Sequence, residues 1–149
     1  MPIRWILVAD QSLARIFRAA NRTAPLEEIE SMVHPEGRLH EGELVSDRAG
    51  RGNVPGSSGR HAVENDTRRK EAASESFARD IAARLDRARH EQHFEKLAII
   101  APPRMLGLIR KALSSQTADR VDHEVAKELA RQDAAAIRTH LEDVLWTTK

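Results

Sequence analysis

A chain of 149 residues with a net charge of +1 and 32% charged residues fits one domain with a well-charged surface. Attraction to nucleic acid or membrane therefore has to come from a local patch, not from bulk charge. The absence of cysteine excludes disulfides, thiolate metal sites and a cysteine nucleophile, and the scarcity of aromatics (3%, no tyrosine) disfavours a stacking platform for single-stranded nucleic acid.

The pattern along the chain is that of an α/β domain. Residues 3–9 are near-continuously apolar, which predicts a strand buried on both faces and hence central. The run is too short to span a bilayer and lacks a basic n-region and a cleavage-like site, so the expected location is cytoplasmic, without membrane association. Asp10, Gln11 and Ser12 predict a turn. Residues 14–19 read as a second strand. Residues 26–33 read as a third, whose three glutamates suit an exposed edge. Short turns make these three an antiparallel meander.

Residues 34–66 then lack sustained periodicity and hold six of the seven glycines. Residues 39–44 admit a short helical turn; the rest is expected to be a long exposed loop, centred on 46–66. From Thr67 to His90 an apolar stripe of Ala73, Phe77, Ile81, Leu85 and Ala88 predicts a helix. Asp66 or Thr67 would cap it, and Glu75/Arg79 and Asp80/Arg84 would pair on its wet side. Lys96–Ala101 is a second buried strand, and Pro102 and Pro103 open a helix to about Leu113, burying Leu106, Ile109 and Leu113. Residues 120–125 form the fifth strand. Residues 133–146 form the last helix, with Ile137, Leu141, Val144 and Leu145 inward.

Right-handed crossovers place the fourth strand parallel to the first and the fifth beyond it. The expected sheet is mixed, ordered 3-2-1-4-5, with helices packed on it in a ribonuclease-H-like three-layer topology. The whole of 1–149 is then a single domain.

That topology invites a nuclease test, because a two-metal phosphoryl displacement needs several carboxylates. Asp10 stands where the first would be. The fourth strand, however, runs into Ala101, Pro102 and Pro103, and Glu71 and Glu75 have no third partner. Asp10 is better read as a turn residue bonding the amide near Ser12. His34, Glu36, His40 and Asp47 match no zinc spacing. His90 and His93 end a helix, where imidazole suits the dipole. No nucleotide, flavin or serine-hydrolase signature occurs, so no cofactor and no metal are expected.

The segment 46–70 has its own chemistry. It holds six basic residues (Arg48, Arg51, Arg60, Arg68, Arg69, Lys70) against Asp47, Glu64 and Asp66, a local balance of +3. Gly50, Gly52, Gly56 and Gly59 would let backbone amides approach a phosphate, while arginines fork onto it and the following helix start adds a favourable dipole. The plain alternative is a solvated loop.

Four ordered segments also carry a resemblance: WILVADQSLARIF, HPEGRLHEGELVSDRAGR, ESFARDIAARL and LAIIAPPRMLGLIRKAL. Together they resemble bacterial host-attachment proteins, a family whose name implies a requirement for attachment to host cells. That family is distantly similar to the central domain of archaeal and eukaryotic peptide-chain release factors. There, a Gly-Gly-Gln loop before a long helix positions the attacking water in the ribosomal peptidyl-transferase centre. In this chain Gly56, Ser57, Ser58, Gly59, Arg60 and His61 occupy that place, and no Gly-Gly-Gln occurs.

Three readings follow. The first is a cytoplasmic protein that binds structured RNA or the ribosome through the basic segment, with catalysis lost. The second is a small hydrolase on a phosphate or ester, with His61 as general base and the loop amides as anion cradle. The third is an interaction or homo-oligomerisation domain using the edge strand 26–33.

Overall fold

The computed structural model describes residues 3–20, 25–34 and 59–145, with the side chains of its last stretch described from Asp66 to Glu142. The elements in chain order are β1 (Arg4–Ala9), β2 (Leu13–Ala19), β3 (Glu27–Val33), α1 (Gly59–His90), β4 (Lys96–Ala101), α2 (Pro103–Ala112), α3 (Ser115–Ala118), β5 (Val121–Ala126) and α4 (Ala134–Leu145). The sheet order is β3-β2-β1-β4-β5, as expected. The β1–β2 and β2–β3 pairs are antiparallel; the β1–β4 and β4–β5 pairs are parallel.

The continuous apolar runs explain why β1 and β4 are central. Strand side chains alternate between faces. Trp5, Leu7 and Ala9 enter one core with Phe77, Ile81 and Leu85 of α1 and Met105, Leu106 and Ile109 of α2. Ile6 and Val8 enter the other, with Phe17, Ala98, Ile100, Leu129, Ile137 and Leu141. Both faces are thus covered, one by α1 and α2 and the other by α4. Each fully buried Leu or Ile contributes about 1.5–3 kcal/mol by leaving water, so the two central strands carry much of the stability.

Both edges of the sheet carry register shifts. In β3 the shift lies opposite Ile16 and Phe17. In β5, Leu97 pairs with Val121 and Ala98 with His123, so Asp122 is the extra residue. This lets Asp122 reach Arg4 across β4, with Oδ1 and Oδ2 accepting from the two guanidinium NH groups at 2.7 and 2.6 Å. All three β3 glutamates are paired within the chain: Glu27 with Arg18, Glu28 with Arg15 and Glu30 with Arg84. Arg15 also lies over the Phe17 ring and donates to the carbonyls of Ala130 and Gln132, tying β2 to the segment before α4.

Several details differ from the sequence reading. α1 starts at Gly59, eight residues before Thr67, so Gly59, Arg60 and His61 belong to a helix and not to a loop, and Asp66 and Thr67 do not cap it. Apolar periodicity reports burial, and the first turns of this helix have no apolar stripe to report. Arg84 turns to Glu30 of β3 instead of pairing with Asp80, because the strand lies within reach on that side of the helix. The short α3 carries no apolar period; Ser114 caps it, its Oγ accepting from the Thr117 amide at 3.2 Å. Residues 39–44 lie outside the described residues, as do the side chains of Val144 and Leu145.

Candidate functional site

In open α/β sheets, ligands gather outside the carboxyl ends of the parallel strands, where the loops converge. Here that edge follows Ala9, Ala101 and Ala126. β3 ends at the same edge, since the His34 amide donates to the Ser12 carbonyl at 3.0 Å. The crossover to β4 then obliges α1 to start at this edge and descend.

Four buried polar side chains belong to this region: Asp10, Ser12, His34 and Ser74. Asp10 closes the β1–β2 turn, its Oδ1 accepting from the amides of Ser12 and Leu13 at 2.8 Å each. Its Oδ2 lies 3.3 Å from Nε of Arg131, which also donates to the Ser12 hydroxyl. Asp10 is therefore the turn residue the sequence suggests, with both oxygens engaged inside the fold. His34 is buried and stacked on Phe77, with ring centroids 4.9 Å apart. Glu36, His40 and Asp47 lie outside the described residues. Among the described residues, no three His, Asp or Glu side chains gather as a metal site.

α1 overshoots the sheet. Its 32 residues are about 48 Å long, whereas a strand of six or seven residues spans about 20–23 Å. Its buried face begins at Ser74, and Thr67–Ala72 are exposed. Among the described residues, Arg68, Arg69 and Lys70 therefore stand on an exposed part of the helix, ahead of its buried face. Successive helical residues turn by about 100°, so these three fan around the helix instead of sharing one face. Arg69 is held by Asp66 at 2.8 Å, and Glu71 lies 3.9 Å from Arg104 at the start of α2.

The remaining sequence-predicted residues divide simply. Arg48, Arg51, Gly50, Gly52 and Gly56 lie outside the described residues. Gly59 opens α1, and Arg60 and His61 follow in its first turn, their side chains outside the described set.

Two carboxylates away from this edge have shifted acidities. Partial burial pushes the Asp122 carboxyl up, but the Arg4 hydrogen bonds and the nearby His123 ring outweigh it and hold the group below the usual carboxylate range. The Arg15 hydrogen bond holds Glu28 low in the same way, against a small opposing effect of burial.

The sequence reading missed Arg131 and Arg104. Arg104 lies in the stretch LAIIAPPRMLGLIRKAL and Arg131 in none of the four, but neither has a local pattern that marks a role; both reach the site because β4 and β5 deliver the chain to the same end of the sheet.

With this geometry in place, the comparison with known families is direct. The family described as "Protein required for attachment to host cells" matches residues 5–141. The chain belongs to the host-attachment family. The matched span runs from within β1 to within α4, so the host-attachment region includes both the Asp10–Arg131 turn and the Gly/Arg segment that leads into α1. No curated protein matches the chain. Among the described residues of this family member, no helix is long and apolar enough to cross a membrane.

Proposed function

We propose that this host-attachment family chain works inside the cell as a binder of structured RNA or the ribosome, through the basic segment 46–70, and that it does not hydrolyse peptidyl-tRNA. One observation carries the reading. The basic, glycine-rich stretch leads into a 32-residue helix on which, among the described residues, Arg68 and Lys70 are exposed. Arginines and lysines on such a projection suit phosphate contacts, which need charge and reach more than a shaped pocket.

The distant sequence resemblance to release-factor central domains favours the same direction: the basic segment precedes a long helix here, as the Gly-Gly-Gln loop does there. The missing Gly-Gly-Gln removes the group that would position water. A requirement for host attachment would then be indirect, arising from an effect on RNA or translation.

The test is co-sedimentation with ribosomes and retention of transfer RNA, comparing the wild type with an R48A/R51A/R60A variant. Loss of binding in the variant is the expected result. Binding that is unchanged sinks the mechanism.

A further inference from the structure

The helix layer over one face of the sheet is more basic than the chain. α1 and α2 together hold eleven Lys and Arg against six Asp and Glu, a balance of +5 where the whole chain has +1. α2 contributes three cations and no carboxylate. Arg110 is committed to Glu124 of β5. Arg104 and Lys111 are seven residues apart, so they lie on one face of α2, about 10 Å apart along its axis.

A groove of about 260 Å³ runs between α1 and α2, lined by Glu75, Ala78, Arg79, Leu108, Lys111 and Ala112. Among the described residues, no carboxylate pairs with Arg79 or Lys111. Arg68 lies eleven residues before Arg79, three turns up the same line of α1 and about 16 Å away. The groove is thus bordered by cations on both helices, with Glu71 and Glu75 as the nearby acids.

Between Arg104 and Lys111 stands Gly107, exposed and interior to α2. A Cβ built there would meet nothing within 4 Å. Glycine weakens a helix interior relative to alanine, and among the described residues no neighbour requires the absence of a side chain here. A ligand that approaches the α2 backbone closely would require it.

We propose that this groove is a second RNA contact, in which Arg79, Arg104 and Lys111 hold successive phosphates and Gly107 admits the strand against α2. The proposal rests on the RNA reading above but uses different residues. An acidic protein segment is the competing occupant. The groove floor of Ala78, Ala112 and the half-buried Leu108 offers too little apolar surface for peptide anchors, while Arg79 and Lys111 face each other across it from the two helices.

The test uses the full chain, with bulk transfer RNA as probe, titrated over a range of salt concentrations. R79A/K111A is expected to bind about tenfold more weakly, with a salt slope smaller by about two; K111R should bind as the wild type does. G107A should melt at a higher temperature yet bind RNA more weakly, a pairing that a purely structural glycine would not produce. If G107A and R79A/K111A both bind as the wild type does while R48A/R51A/R60A binds poorly, the groove is refuted and the segment 46–70 reading stands. If the groove variants fail and R48A/R51A/R60A does not, the groove stands alone. No binding by the wild type overturns both. Displacement of the RNA by polyglutamate at equal charge overturns the choice of RNA.

Discussion

Arg131 lies with its Nε 3.3 Å from Oδ2 of Asp10, joining the turn after the first strand to the segment that precedes the last helix. The two residues are 121 positions apart in the chain. Asp10 is 6% exposed, and its other oxygen serves two turn amides. Replacing it with alanine leaves both amides without their acceptor. Asp10→Ala should cost about 2–3 kcal/mol, and Asp10→Asn, which keeps one acceptor oxygen, about half that. Urea unfolding of the two variants measures the difference; equal losses would contradict the assigned roles.

The Arg4–Asp122 pair predicts a particular dependence on acid. The folded pKa of Asp122 is depressed, so its contribution is present above the unfolded value near 4 and is lost as pH falls through the folded value. Asp122→Asn should therefore lose about 1 kcal/mol at neutral pH, and the gap to the wild type should close below about pH 4. Thermal melts between pH 7 and pH 3 test this. A gap that stays constant would show that the pair's charge contributes nothing.

The end of α1 offers a stabilising change. The Gln92 amide bonds to the Arg89 carbonyl and the His93 amide to the Ala88 carbonyl, the paired bonds of a Schellman turn. This sets Gln92 at φ 63°, where glycine is at ease and a side chain is not. Gln92→Gly should stabilise the protein by about 1 kcal/mol, while Gln92→Ala should not. Chemical denaturation distinguishes them.

Arg84 couples α1 to the sheet in two ways. Its guanidinium pairs with Glu30 of β3 at 2.7 Å and lies 5.6 Å from the Trp5 ring centroid. Arg84→Lys keeps the charge but loses the planar fork, so it should recover little of the roughly 1 kcal/mol lost in Arg84→Ala. Amide exchange should rise in β3 more than in β1, which is paired on both sides.

Gly107→Ala should stabilise α2 by about 1 kcal/mol, because the added methyl meets open space. Equilibrium unfolding checks it, independently of any ligand. A loss instead would mean that the helix is constrained at this position by something other than its neighbours.

Local residue pattern was enough to determine the strand order and the order of every element except the short α3. The runs Trp5–Ile6–Leu7–Val8 and Ile99–Ile100 could only be buried on both faces, and the stripe Phe77, Ile81, Leu85 could only face a core. The chemistry of the Asp10 turn was also readable, because an aspartate bonds amides two and three residues on. Everything that depends on distance in space waited for the tertiary structure. The extra residue at Asp122, the choice of Glu30 over Asp80 by Arg84 and the meeting of Arg131 with Asp10 join segments far apart in the chain, and periodicity carries no information about such meetings. The start of α1 at Gly59 was hidden for a related reason: an apolar pattern marks the face of a helix that packs, and the sequence of its first two turns carries no such stripe.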